Sequence, residues 1–195
     1  VKLGFKGRIY GSAPTLNIAE IILKDSAKIQ EEEASRANKE NYSKHSPAEA
    51  FYDLKDVENT INLFTPVTEG GWHVIENDFK VRWQYNGHII GSTFIEVETN
   101  HKRVVFSGDI GRKIDLLLYP PKKPKKATVL LIESTYGGRI HPEEETIIPA
   151  LERIITETVN RGGSLFIPSF AVERTQLMML MIWRLLKEKR IPKIP

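Results

Sequence analysis

The chain has 195 residues, 41% of them hydrophobic and 27% charged, which is enough apolar material for one sizeable core or one core and part of another. With no cysteine, disulfides and cysteine-held zinc are excluded, so a metal would have to be held by histidine and carboxylate; a reducing compartment suits this, and we expect a cytoplasmic protein. A net charge of +3 and an isoelectric point near 9.0 pull only weakly toward polyanions, no run approaches the ~18 apolar residues of a membrane helix, and the N-terminus carries no signal-peptide pattern.

Val1-Lys2-Leu3-Gly4-Phe5 reads as the end of a helix with a glycine stop, and Ile191-Pro192-Lys193-Ile194-Pro195 as the approach to a further strand, so we expect an internal segment of a longer protein. Arg8 to Gly11 is a short strand candidate. Pro14, preceded by Ser12 and Ala13, suits the first turn of a long helix running to about Ala37 through Ile18, Ile21, Ile22, Leu23 and Ile29. Asn38 to His45 reads as a loop. Ser46-Pro47-Ala48-Glu49 has the form of a capping box opening the next element, and Val57, Ile61 and Phe64 share a helical face that Thr65-Pro66 ends.

Four antiparallel strands are expected next: Trp72 to Ile75, Phe79 to Tyr85, Phe94 to Thr99 and Arg103 to Phe106, with turns at Gly70-Gly71, Asn77-Asp78 and Asn100-His101. His73 reads as a sheet-surface residue. The connection Tyr119-Pro120-Pro121-Lys122-Lys123-Pro124-Lys125-Lys126 forms neither helix nor ladder and reads as a solvated loop, although its lysines could meet nucleic-acid phosphate. Thr128 to Ile132 resembles a buried parallel strand with a neighbour different from the hairpin strands. Residues 142–160 follow a helical period that Pro149 confines or kinks, Ser164 to Ile167 reads as a second buried strand, and Glu173 to Arg190 as a final amphipathic helix with Met178, Met179 and Met181 filling its core face.

Two side chains of ligand type fall at ends of neighbouring strands, each beside glycines that permit close backbone approach: His88 after Asn86-Gly87, and Asp109 after Ser107-Gly108. Spacing alone leaves bland readings open, a hydrogen-bonded loop histidine and a Ser-Gly-Asp turn. Glu133, at the end of the 128–132 run, reads equally as a loop cap.

The segments Asn86-Gly87-His88-Ile89-Ile90-Gly91-Ser92, Phe106-Ser107-Gly108-Asp109-Ile110-Gly111, Glu133-Ser134-Thr135-Tyr136-Gly137 and the run from Gly162 to Ala171 resemble, in this order, motifs of the β-CASP nucleases of the metallo-β-lactamase fold. Asp25 to Gln30 with the following glutamates is similar to the bacterial and archaeal RNA-processing members. The resemblance implies an α/β fold: a partial metallo-β-lactamase-like αββα sandwich over residues 1–150, running into the beginning of a β-CASP α/β domain over 151–195. It implies a zinc-dependent phosphodiesterase acting on RNA, DNA being open, with two zinc ions, no membrane partner, and a homodimer open. His88 would be a terminal metal ligand and Asp109 a bridging one that also serves catalysis. Glu133 would orient a histidine acid, and Ser134, Thr135, Arg139 and His141 would meet substrate phosphate or hold Glu133.

The sequence also departs from that pattern. The family's H-x-H-x-D-H ligand motif does not occur here, and neither do its two later histidines. We therefore expect this chain alone to hold metal poorly and to be inactive. Asn86 stands where the pattern usually has alanine, near enough to perturb a metal site, and Glu173 where it usually has glycine, at a helix start that favours negative charge. A non-catalytic RNA-binding or scaffold partner is the alternative. A small-molecule metallo-hydrolase is disfavoured by the Glu133 and Gly162 segments. Endonuclease or exonuclease action, and its direction, stay open.

Overall fold

Serine at position 12 opens the first helix of the computed structural model, which describes residues 1–140 and 147–193. Its side chain accepts a hydrogen bond from the Thr15 N–H, and proline sits in the first turn, as expected of a good helix start. This helix, α1 (Ala13–Glu40), runs three residues past the expected loop boundary and ends at Asn41 in the left-handed conformation. It follows strand β1 (Ile9–Ser12).

Ser46-Pro47-Ala48-Glu49 opens no helix. The segment is instead held on α1 by side chains that take its backbone groups: Asn38 accepts from the Ala48 N–H (2.7 Å) and donates to its carbonyl (2.9 Å), and Gln30 accepts from the Phe51 N–H (3.1 Å). The capping box is at Asp53 and Asp56, opening α2 (Leu54–Ile61). Phe64 to Pro66, expected at the end of this helix, form β2 (Phe64–Val67). Tertiary pairing overrides the helical spacing: β2 lies parallel to β1, with Ile9 opposite Phe64 and Pro66 opposite Gly11, and a two-stranded sheet tolerates proline on its edge.

The second sheet follows the sequence reading closely. Strands β3 (Trp72–Glu76), β4 (Phe79–Tyr85), β5 (Thr93–Thr99) and β6 (Lys102–Phe106) are antiparallel neighbours in that order, and Asn100 and His101 both take the positive φ of a tight hairpin turn. Strand β7 (Val129–Leu131) runs parallel to β6, so it extends this sheet rather than pairing elsewhere. The expected burial of 128–132 is corrected too. β7 is the sheet's edge, and Val129, Leu130, Leu131 and Ile132 are all about half exposed; the second buried strand expected at 164–167 does not form either, and Phe166 is 88% exposed.

Alternation along β4 and β5 separates two environments. On one face Val81 and Trp83 are buried, with the Trp83 ring 6.2 Å from Tyr10 of β1 and edge-on to His73 at 5.4 Å. The other face carries ion pairs: Arg82 with Glu96, and Glu98 with both Lys80 and Arg103, each at 2.6 Å. The Lys80 ammonium, reinforced by Arg103, lowers the Glu98 carboxyl from its ordinary 4.5 to about 2. A depressed folded-state value means that this contribution to stability is fully present above pH 4.5 and is lost as pH falls through about 2. Glu98→Gln is therefore expected to flatten the acid limb of denaturation curves in that window, and an unchanged limb would contradict the pairing.

Helices α3 (Ile147–Asn160) and α4 (Arg174–Lys187) pack on each other around Leu151, Ile155, Met181, Leu185 and Ile191. Pro149 lies in the first turn of α3, where its missing N–H costs no helical bond. Of the methionines expected in the core, Met181 is 3% exposed and Met178 packs against the cluster, but Met179 is 65% exposed and faces solvent.

Candidate metal centre

β4 and β6 both run antiparallel to β5, and β7 runs parallel to β6, so the C-terminal ends of β4, β6 and β7 lie along one rim of the sheet. His88 follows β4, Asp109 follows β6 and Glu133 follows β7. The topology thus collects three side chains that are far apart in sequence.

On this rim His88 Nε2 and Asp109 Oδ2 are 3.6 Å apart, both side chains open to solvent. Two ligands of one tetrahedral zinc ion, each at ~2.0–2.2 Å, lie a little over 3 Å from each other, so the pair could share an ion. Imidazole nitrogen and carboxylate oxygen are the right donor chemistry. Among the described residues no group of three or more histidine, aspartate or glutamate side chains is placed to hold a metal, so these two are at most part of a ligand set.

Glu133 is engaged in the adjoining turns. Its carboxylate accepts from the Ile110 N–H (2.7 Å) and the Thr135 N–H (3.3 Å), and its own N–H donates to Ser107 Oγ (3.0 Å). The Ile110 N–H, followed by the Thr135 side chain, lowers its pKa, so it is a carboxylate at neutral pH. Its visible work is to tie the strand ends together. Thr135 joins the rim through this contact. Ser134 and Arg139 are exposed in the following turns, held by Gly137 N–H to Ser134 O and Arg139 N–H to Tyr136 O, both 3.0 Å, and the described contacts bring neither to His88 or Asp109. His141 lies outside the described residues.

The turns are packed too tightly for side chains. A Cβ on Gly111 would fall 1.8 Å from the Gly87 carbonyl oxygen, and one on Gly91, at φ +82°, would fall 2.6 Å from the Thr15 nitrogen. Gly91 also offers its carbonyl to the hydroxyls of Ser12 and Thr15, each at 2.7 Å, so the start of α1 braces the loop after His88. The proline- and lysine-rich connection leans on the end of β4, just before this loop: the Lys122 N–H donates to Tyr85 O (3.1 Å), with its lysine side chains exposed as expected. Glu173 departs from its expected role. It occupies the N-cap of α4 at φ +71° without a side-chain cap bond, and burial, reinforced by Asp115, pushes its carboxyl above the ordinary range.

No family model matches the chain. Among curated proteins it is 30% identical to ribonuclease TTHA0252 of Thermus thermophilus over 98% of its own length and 40% of the relative's. It is 29% identical to the endoribonuclease YSH1 of Candida glabrata, covering 93% of the chain and 23% of that protein. The transcription termination factor FttA of Lokiarchaeum is 30% identical, covering 100% of the chain and 29% of the factor. The chain is homologous to β-CASP nucleases of the metallo-β-lactamase fold.

Its mixed α/β architecture, with a five-stranded sheet, is the fold class of that family. The chain spans between about a fifth and two fifths of the length of these relatives, as the alignments give 23% to 40%. Within the described residues no helix is long and apolar enough to cross a membrane. The side chains that sequence reasoning missed are Ser92 and Ser107, and the organising role of Asn86. Their signal was present only as polar residues flanking His88 and Asp109 inside the two motifs.

Proposed function

We propose that the protein carrying this chain is a metal-dependent phosphodiesterase that cleaves RNA in the cytoplasm, with zinc as its metal and with His88 and Asp109 as ligands. The meeting of these two side chains at 3.6 Å on the rim carries the reading. RNA is named because relatives are a ribonuclease and an endoribonuclease. In this reading residues 1–150 form part of the metallo-β-lactamase-like domain and 151–195 begin the β-CASP domain, and the remaining ligands come from outside the chain.

When bound, zinc supplies a Lewis acid that stabilises charge developing on a phosphoryl oxygen and lowers the pKa of water. His88 would contribute an imidazole nitrogen donor. Asp109 contributes negative charge, which offsets the cationic charge gathered there. Glu133 stays ionised and holds the turn after Asp109 in place through the Ile110 N–H, and in this reading Ser134, Thr135 and Arg139, all exposed, would meet substrate phosphate.

The test is cleavage of end-labelled single-stranded RNA by the complete protein. Turnover that is lost on chelation and regained with zinc is expected, and the 195-residue chain by itself should cleave nothing, because a zinc site needs about three or four protein ligands. RNA binding without cleavage in the zinc-loaded protein would instead make it a scaffold. Cleavage indifferent to chelation would remove the metal from the account.

A further inference from the structure

We propose that Asn86 is a positioning residue that fixes the Asp109 turn against the His88 turn. Asn86 is 3% exposed, and the described contacts occupy each of its polar atoms. Nδ2 donates to the Ser107 carbonyl (3.1 Å) and the Asp109 carbonyl (2.8 Å). Oδ1 accepts from the His88 N–H (3.3 Å) and the Ser92 hydroxyl (2.5 Å). In the main chain, its N–H donates to Ser92 O (3.3 Å), and its carbonyl accepts from the Gly111 N–H (2.9 Å).

The carboxamide's orientation is fixed by this set: two carbonyls face the amide nitrogen, and an N–H and an O–H face the oxygen. A side chain with two donors and two acceptors is what this position uses. Alanine, the residue expected here from the family pattern, has none, and would leave the Ser107 and Asp109 carbonyls short of a donor in a buried setting. The departure from the pattern that looked like a perturbation of the site is thus the joint between its two halves. Coupling of this kind moves the backbone carrying Asp109 with the backbone carrying His88, so the 3.6 Å spacing of their heads depends on a group that touches neither head.

The proposal rests on the reading of His88 and Asp109 as metal ligands, and its test separates the two. In the complete protein, Asn86→Ala is expected to lower zinc affinity, measured by competition with a fluorescent chelator, by about 10- to 100-fold. It is also expected to lower kcat on RNA with little change in KM, and to speed exchange of the Gly111 amide in metal-free protein. Asn86→Asp keeps size and acceptor but lacks the amide donor, so it should lose affinity as alanine does; wild-type affinity in this variant would reduce Asn86 to a space-filler and overturn the proposal. Val57→Ala, which removes buried apolar contact in α2, should leave zinc affinity intact. An equal loss there would assign the effect to general instability and overturn the proposal. If the wild-type protein takes up no zinc, the functional reading fails, and Gly111 exchange alone decides: acceleration in Asn86→Ala supports the positioning role and an unchanged rate overturns it.

Discussion

Asp109→Ala is expected to slow RNA cleavage by the complete protein about a thousandfold, and His88→Ala nearly as much. Lewis-acid stabilisation at a phosphoryl centre is worth several kcal/mol, and each ~1.4 kcal/mol is a factor of ten in rate. Both side chains are solvent-exposed, so neither loss should unfold the sheet: little apolar contact goes with them. The asymmetry in charge makes Asp109 the more damaging, since its carboxylate carries the pair's negative charge. His73→Ala is the control. That ring sits edge-on to Trp83, with Nε2 3.1 Å from the Thr68 carbonyl, and takes no part in the rim. Wild-type turnover in Asp109→Ala, measured on the same labelled RNA, would dismiss the site.

Arg82→Ala is expected to cost about 3–5 kcal/mol of stability, a large share of the ~5–15 kcal/mol that holds a typical domain. Glu96 is 0% exposed, and its Oε1 has no partner among the described residues, so Arg82 is what compensates a buried carboxylate. The guanidinium also lies 4.5 Å over the Trp72 ring, a contact worth a further ~0.5–2 kcal/mol that alanine loses. Removing both charges is a different matter. Arg82→Met with Glu96→Leu fills similar volume without burying a charge, and should recover most of the loss. Urea denaturation of the three proteins measures this. A single-variant cost below about 1 kcal/mol would mean that water reaches Glu96.

What the sequence could disclose divides along physical lines. β4 was legible to the residue, because Val81 and Trp83 alternate with Lys80 and Arg82 and one face is buried. The start of α1 was legible from Ser12 and Pro14, which act locally. β2 was not, because Phe64 continues the helical spacing of Val57 and Ile61, and only pairing with β1, more than fifty residues earlier, makes it a strand. The burial of Glu96 was hidden for a similar reason: period-2 alternation marks its face as polar, while in the folded sheet it is buried and paired with Arg82, whose guanidinium lies over Trp72. On the rim, the positions of His88 and Asp109 just past strand ends were readable from the alternation and the glycines beside them, while the ligand roles proposed for them came from the family resemblance. The carboxamide that joins their turns was not, since a side chain bonding four partners in two separate loops has no periodic signature.

The central claim, that His88 and Asp109 are part of a metal ligand set completed outside this chain, is tested most directly by counting zinc per protein after dialysis. The account predicts zinc retained by the complete protein, depleted in its Asp109→Ala variant, and not retained by the 195-residue chain. Stoichiometric, tightly held zinc in the 195-residue chain, or full zinc content in Asp109→Ala, would contradict it.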